Sequence, residues 1–308
     1  MAEIEIAASL PRPVAYVLAG GAAFGSTQVG HIRALAKTDL TPDLIVGTSV
    51  GSLNGAIVAD DPEAAPARLA ELWQTVTRQE IFGTTVAKAM NLATGKPSVV
   101  GNDGLREFIE RALPARDFSD LAVPHTAMAT DFDTGRAVAL DEGDLVTALL
   151  ASAAIPLVFP EVERNGRRLV DGGLVANVPI GVAAGLGART IVVLDCGFTL
   201  MPPQREDTYG GRMLRTAAIM AAQQVRRDLE RVTDRTVLYL PGPWPMRMKP
   251  DDFSTATEVA AKTYGMTMAW LHALEPRGPG RYGSAPTDAL AKPDPLPRPA
   301  KAGADSDH

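Results

Sequence analysis

The chain has 308 residues and a formal net charge of −6, from 30 Lys and Arg against 36 Asp and Glu. Hydrophobic residues make up 46% and charged ones 21%, enough for a sizeable core, which excludes disorder of the whole chain. The acidic balance is wrong for nonspecific nucleic-acid binding, and a single cysteine, Cys196, excludes both an internal disulfide framework and a four-cysteine zinc site.

Residues 14–18 (Val-Ala-Tyr-Val-Leu) are an apolar run closed by Gly20 and Gly21, which predicts a buried strand. A helix is expected over 27–37, a second buried strand over 43–46, and a helix over 51–59 that stops before Pro62. Helical patterns recur at 66–79 and 104–113, and an apolar stripe within 81–100 (Phe82, Val86, Ala89, Met90) reads as core packing or as a lipid-contacting gate. Strands follow at 126–130 and 137–140, then a helix at 144–151. Asn165-Gly166 predicts a type I′ hairpin with arms 161–163 and 168–170. The β-branched run 190–194 reads as a parallel core strand with Cys196 buried at its end. A long helix over 211–232, a strand over 236–240 and a last helix from Thr255, with Glu258 completing a capping box, end the pattern.

Alternating strands and helices predict a three-layer α/β fold with a mainly parallel sheet, in one domain over residues 1–275. Residues 276–308 hold seven prolines and few large apolar side chains, and are expected to be a disordered tail. The N-terminus is acidic and lacks a signal-like apolar stretch. The longest uncharged segments, 145–160 and 172–188, fall short of a bilayer span. A soluble, cytoplasmic chain is expected, at most peripheral to a membrane.

Three elements carry chemistry. Gly47-Thr48-Ser49-Val50-Gly51 fits G-x-S-x-G between a strand and a helix, the context that lifts a serine hydroxyl above a sheet edge at a helix N-terminus. The same residues also fit a glycine-rich turn in which Ser49 only caps the helix. Residues 18–25 (Leu-Ala-Gly-Gly-Ala-Ala-Phe-Gly) leave backbone amides bare after a strand, suited to an oxyanion or a phosphate. A dinucleotide fingerprint fails at Ala22, and a P-loop fails because Ser26 stands where its lysine belongs. Asp171, at a strand end before Gly172 and Gly173, fits either an Asp-Gly turn or an acid at an open edge. The chain has four histidines: His31 and His272 fall in helical patterns, His125 in a loop after Pro124, and His308 in the tail. None has the small-residue loop of a catalytic base, although His272 is the next candidate should Asp171 not serve.

In this order the three elements resemble the patatin-like phospholipases, serine acyl hydrolases with a Ser–Asp dyad. The resemblance extends through Ala129-Thr130-Asp131 with Thr134-Gly135, through residues 151–156 with Phe159-Pro160, and through Asp171-Gly172-Gly173 with Asn177 and Pro179. It covers about Val14 to Leu240. It implies Ser49 as nucleophile, Asp171 as proton acceptor, and the backbone of Gly20, Gly21 and Ala22 as oxyanion hole. No cofactor or metal is implied; the partner is a lipid or ester substrate. Two positions depart from the family loop: a third glycine is usual where Ala22 stands, and a cation where Phe24 stands. Ala22 suits the loop if its φ is negative. The alternatives are a noncatalytic lipid-binding or scaffold protein on the same fold and a P-loop-like nucleotide binder.

Overall fold

Strands that are apolar at every position need cover on both faces, and residues Val14–Leu18 and Thr190–Leu194 are buried throughout. They form the centre of a nine-stranded, mainly parallel sheet in the computed structural model, which describes residues 4–83, 100–200, 209–245 and 248–290. In chain order the elements are β1 (Val14–Leu18), α1 (Ser26–Leu35), β2 (Leu44–Thr48), α2 (Val50–Asp60), α3 (Ala65–Thr75), α4 (Arg78–Phe82) and α5 (Asp103–Ala112). There follow β3 (His125–Asp131), β4 (Ala137–Leu140), α6 (Leu145–Ser152), β5 (Val162–Arg164), β6 (Arg167–Asp171), α7 (Gly173–Ala176) and α8 (Ile180–Gly185). The last are β7 (Thr190–Leu194), α9 (Tyr209–Arg231), β8 (Thr236–Tyr239), α10 (Ala256–His272) and β9 (Gly280–Tyr282).

Strands β3, β2, β1, β7, β8 and β9 run parallel, with β4 and the β5–β6 hairpin antiparallel at one side. Helices α1, α2, α3 and α10 pack together on one face; α8 covers β7, β1 and β2, and α9 lies over α7 and α8. The expected three-layer α/β fold is the one observed.

One feature of the register places the site. Ala127 and Met128 of β3 pair with both β2 and β4, whereas Ala129 and Thr130 pair with both β4 and β6. A strand has two edges, so β2 and β6 must share the edge opposite β4, end to end. Thr48 faces Met128, and Asp171 faces the next residue, Ala129. Two strand C-termini, 123 residues apart in sequence, therefore abut.

Several elements differ from expectation. The helix expected over 66–79 is two helices: Val76 turns extended, and the Thr77 side chain accepts the Glu80 N–H to start α4. Thr255 forms no capping box; its side chain makes no cap bond and lies 3.9 Å from Met248 Sδ instead. The short helices α7 and α8 were hidden by their glycines. The tail expected to be disordered from Pro276 contributes β9, which pairs with β8, and buries Ala285 and Thr287. Backbone pairing supplies there what side chains do not. Of the stripe in 81–100, Ile81, Phe82 and Val100 are buried in the core, and Val86, Ala89 and Met90 lie outside the described residues. Among the described residues no helix is long and apolar enough to cross a membrane.

Candidate active site

Ser49 is the single residue between β2 and α2, and its backbone sits at φ 54°, ψ −126°. For a residue with a side chain this is a strained conformation, held only because its surroundings dictate it. Those surroundings are backbone. A Cβ on Gly47 would lie 2.5 Å from the Gly51 carbonyl oxygen, and one on Gly51 would lie 2.3 Å from that of Leu18. The Ser49 N–H donates to Ser152 Oγ (2.9 Å), which itself donates to the Met128 carbonyl (2.6 Å). The Ser49 carbonyl accepts from Ser52 N–H and Oγ, locking the first turn of α2. Ser49 is thus more than a cap: its side chain makes no cap bond to the helix.

Asp171 ends β6 beside it. Its N–H donates to the Ala154 carbonyl (2.9 Å), its carbonyl accepts from Thr130 Oγ1 (2.9 Å), and its Oδ1 accepts the Gly173 N–H (2.7 Å). The Asp-Gly turn therefore forms, and it leaves the carboxylate facing the Ser49 hydroxyl. Burial pushes the carboxyl up to about 6, outweighing the lowering effect of hydrogen bonds from Ser49 and Gly173. A Cβ on Gly172 would lie 2.3 Å from the Met128 carbonyl oxygen, so the close passage of this turn across β3 requires glycine.

The glycine loop is braced from below by buried polar groups. Gln28 Nε2 donates to the Ala19 and Leu194 carbonyls, and Asn54 Nδ2 donates to Gln28 Oε1 and the Gly25 carbonyl. Thr27 Oγ1 donates to Phe24 and Asp195 carbonyls. One expected oxyanion donor is corrected: the Gly20 N–H is committed to the Asn177 carbonyl at 2.9 Å, so Gly20 anchors the loop. The amides of Gly21 and Ala22 have no acceptor among the described residues. The Val50 amide, in the first turn of α2, is likewise free of an intrahelical partner. Cys196 is buried beneath the loop, its Cβ where a side chain on Gly21 would be (2.7 Å).

The expectation that Ala22 suits the loop with a negative φ is also corrected. Ala22 sits at φ 48°, in the left-handed region that disfavours a Cβ. Ala22→Gly should therefore stabilise the protein by up to about 1 kcal/mol, the relief of left-handed strain less the added chain entropy, read as a shift in urea midpoint. No gain would place the strain elsewhere in the loop.

One cleft is lined by Gly20, Gly21, Ala22, Ser49 and Asp171, with Asn177 and apolar neighbours. All five residues singled out in the sequence thus meet. Ser152 and Asn177 fell within the segments that carry the family resemblance, but nothing in the sequence assigned them their anchoring roles. The P-loop reading finds no support: Ser26 Oγ is spent on the Ala23 carbonyl, and Phe24 is buried. His31 and His125 are buried away from the cleft, the latter opening β3 and not a loop, and burial lowers each to about 4. His272 is exposed at the end of α10. Among the described residues no three His, Cys, Asp or Glu side chains are grouped to hold a metal.

Comparison with known proteins shows the family to which the chain is similar. The family model described as patatin-like phospholipase matches residues 16–184. The chain is 30% identical over 187 residues to patatin-like phospholipase domain-containing protein 7 of Rattus norvegicus, covering 60% of this chain and 14% of that protein. It is 29% identical over 188 residues to a lysophospholipase of Mycosarcoma maydis, covering 60% of this chain and 10% of that protein. To an uncharacterized NTE family protein of Mycobacterium bovis it is 28% identical over 232 residues, covering 72% and 61%. The chain thus spans a small part of the first two relatives and about three-fifths of the third.

Proposed function

Because the chain belongs to the patatin-like phospholipase family, we propose that it hydrolyses lipid carboxylic esters, with Ser49 as nucleophile and Asp171 as its base. The observation that carries this reading is the convergence of the Ser49 hydroxyl and the Asp171 carboxyl in one cleft, beside two amides without acceptors among the described residues.

Ser49 Oγ attacks the ester carbonyl carbon while its proton passes to the Asp171 carboxylate. The carbonyl oxygen becomes an oxyanion, to which the Gly21 and Ala22 amides donate; one such donor is typically worth about 10²–10³ in rate. Collapse of the intermediate breaks the bond to the alcohol oxygen, which leaves with the proton held by Asp171. Water then attacks the acyl-enzyme, Asp171 takes its proton, and collapse returns that proton to Ser49 as the carboxylic acid departs. An ordinary aspartate is a weak base for this task. A carboxyl raised to about 6 is closer to the range in which proton transfer at neutral pH is efficient.

The test is covalent labelling with a fluorophosphonate. The wild-type chain is expected to label, and Ser49→Ala is expected not to. Absence of label on both would leave the fold as a noncatalytic lipid-binding or scaffold protein; equal label on both would place the nucleophile elsewhere.

A further inference from the structure

Ser49 stands where two apolar cavities meet, and the two differ in one respect that bears on the reaction. Both are lined by Ala22, Ser49 and Ile155. The first runs between α2, α3, α4 and α5, walled by Leu53, Ile57, Trp73, Phe82, Leu105 and Phe108. The second contains Asp171 and the Gly20–Gly21 turn. Asp171 does not line the first.

We infer that the cavity between α2 and α5 is the subsite for the acyl chain of the ester, and that the alcohol portion leaves through the arm that holds Asp171. This rests on the dyad proposed above. The leaving alcohol oxygen has to receive its proton from Asp171, so that oxygen and its substituent lie on the Asp171 side. The other substituent of the carbonyl carbon then points into the arm Asp171 does not reach.

The first cavity suits a hydrocarbon chain and little else. Apart from Ser49, its polar lining side chain is Asn54, whose Oδ1 accepts Trp73 Nε1–H (3.0 Å) and whose Nδ2 donates to Gln28 and the Gly25 carbonyl. Among the described residues no polar side chain there is left to bind a headgroup. The rings are packed as walls: Phe82 stacks on Phe159 with centroids 5.6 Å apart and lies 6.5 Å from Phe253.

Its depth follows from helix geometry. Leu53 and Ile57 lie four and eight residues beyond Ser49 on α2 and line the same cavity, so Ile57 is about 12 Å along the axis from the nucleophile. That span matches roughly ten extended chain carbons. Each methylene buried along it is worth roughly three- to fourfold in binding. The inferred substrate is therefore an ester of a medium-length fatty acid.

Two ester series test the directionality. One varies the acyl chain of p-nitrophenyl esters from acetate to palmitate; the other varies the alcohol chain of alkyl acetates. Ile57→Trp, which shortens the cavity, is expected to lower the decanoate-to-butyrate ratio of kcat/KM by about tenfold or more. Phe108→Ala, which enlarges the cavity, is expected to shift the optimum to longer acyl chains. Neither should change the slope of the alcohol series. Displacement of a fluorescent fatty-acid probe by decanoic acid reads the same cavity without turnover, and should weaken by a similar factor in Ile57→Trp. Acyl preference and decanoic acid binding that ignore both variants would reduce the cavity to a packing gap, and a response in the alcohol series instead would reverse the two arms. Loss of all hydrolysis and labelling in the wild type, with decanoic acid still bound in the cavity, would sink the dyad while leaving the subsite in place.

Discussion

Asp171→Asn is expected to lose about 10³- to 10⁴-fold in ester turnover near pH 7 and, at the same pH, to be more stable than the wild-type chain. The first effect is the loss of a general base that is also the proton donor to the leaving alcohol. The second follows from where the carboxyl sits. Burial raises it from 3.8 to about 6, so between those values the native state holds a proton that the unfolded state has released. Where the native state binds more protons, stability falls as pH rises. The wild-type chain therefore loses stability across about pH 4 to 6, by at most about 3 kcal/mol, from a shift of roughly two units at 1.36 kcal/mol each. Asparagine cannot ionise, and its side-chain carbonyl can still accept the Gly173 N–H. The stability gap between variant and wild type should thus be small at pH 4 and widest above pH 7, as urea denaturation at the two pH values would reveal. In the same window the wild-type kcat/KM should rise with pH as the carboxylate forms. A gap independent of pH, or activity retained by the variant, would remove Asp171 from the role of base.

How much of this was legible in the sequence depends on the range over which the determining forces act. Local ones could be read. The unbroken apolar runs at Val14–Leu18 and Thr190–Leu194 became buried parallel strands at those bounds, and Asn165-Gly166 became a hairpin turn with φ of 51° and 72°. The residues of the site were legible because the steric demands of a strand-to-helix turn leave a local signature, as Gly47 and Gly51 do around Ser49. What the sequence did not hold was the pairing that brings Ser49 and Asp171 together, since end-to-end seating of β2 and β6 on β3 is decided by register between strands far apart in the chain. The commitment of the Gly20 amide to Asn177 and the left-handed backbone of Ala22 are of the same kind. β9 was missed because its pairing is backbone to backbone and needs little from its side chains.

The glycines of the Ser49 turn give the other large effect. Gly51→Ala is expected to destabilise the protein by about 3 kcal/mol or more, a large fraction of a typical domain's stability. The new Cβ would meet the Leu18 and Ala19 carbonyl oxygens at 2.3 and 2.5 Å, distances at which backbone must shift. That backbone has little room to move: Leu18 pairs with Gly47 on one side and Leu194 on the other, and the Ala19 carbonyl is held by Gln28 Nε2. Any displacement of α2 away from β1 would also carry Ser49 from the Gly21 and Ala22 amides, so activity should fall with stability. Gly265→Ala supplies the contrast. Gly265 lies within α10 with nothing within 4 Å of its added Cβ, so alanine there should raise stability by about 1 kcal/mol through helix propensity alone. Urea midpoints of the two variants should therefore move in opposite directions from the wild type. A Gly51→Ala chain as stable as wild type would mean that α2 is not seated against the end of β1, and the strained turn at Ser49 would lose the contact that enforces it.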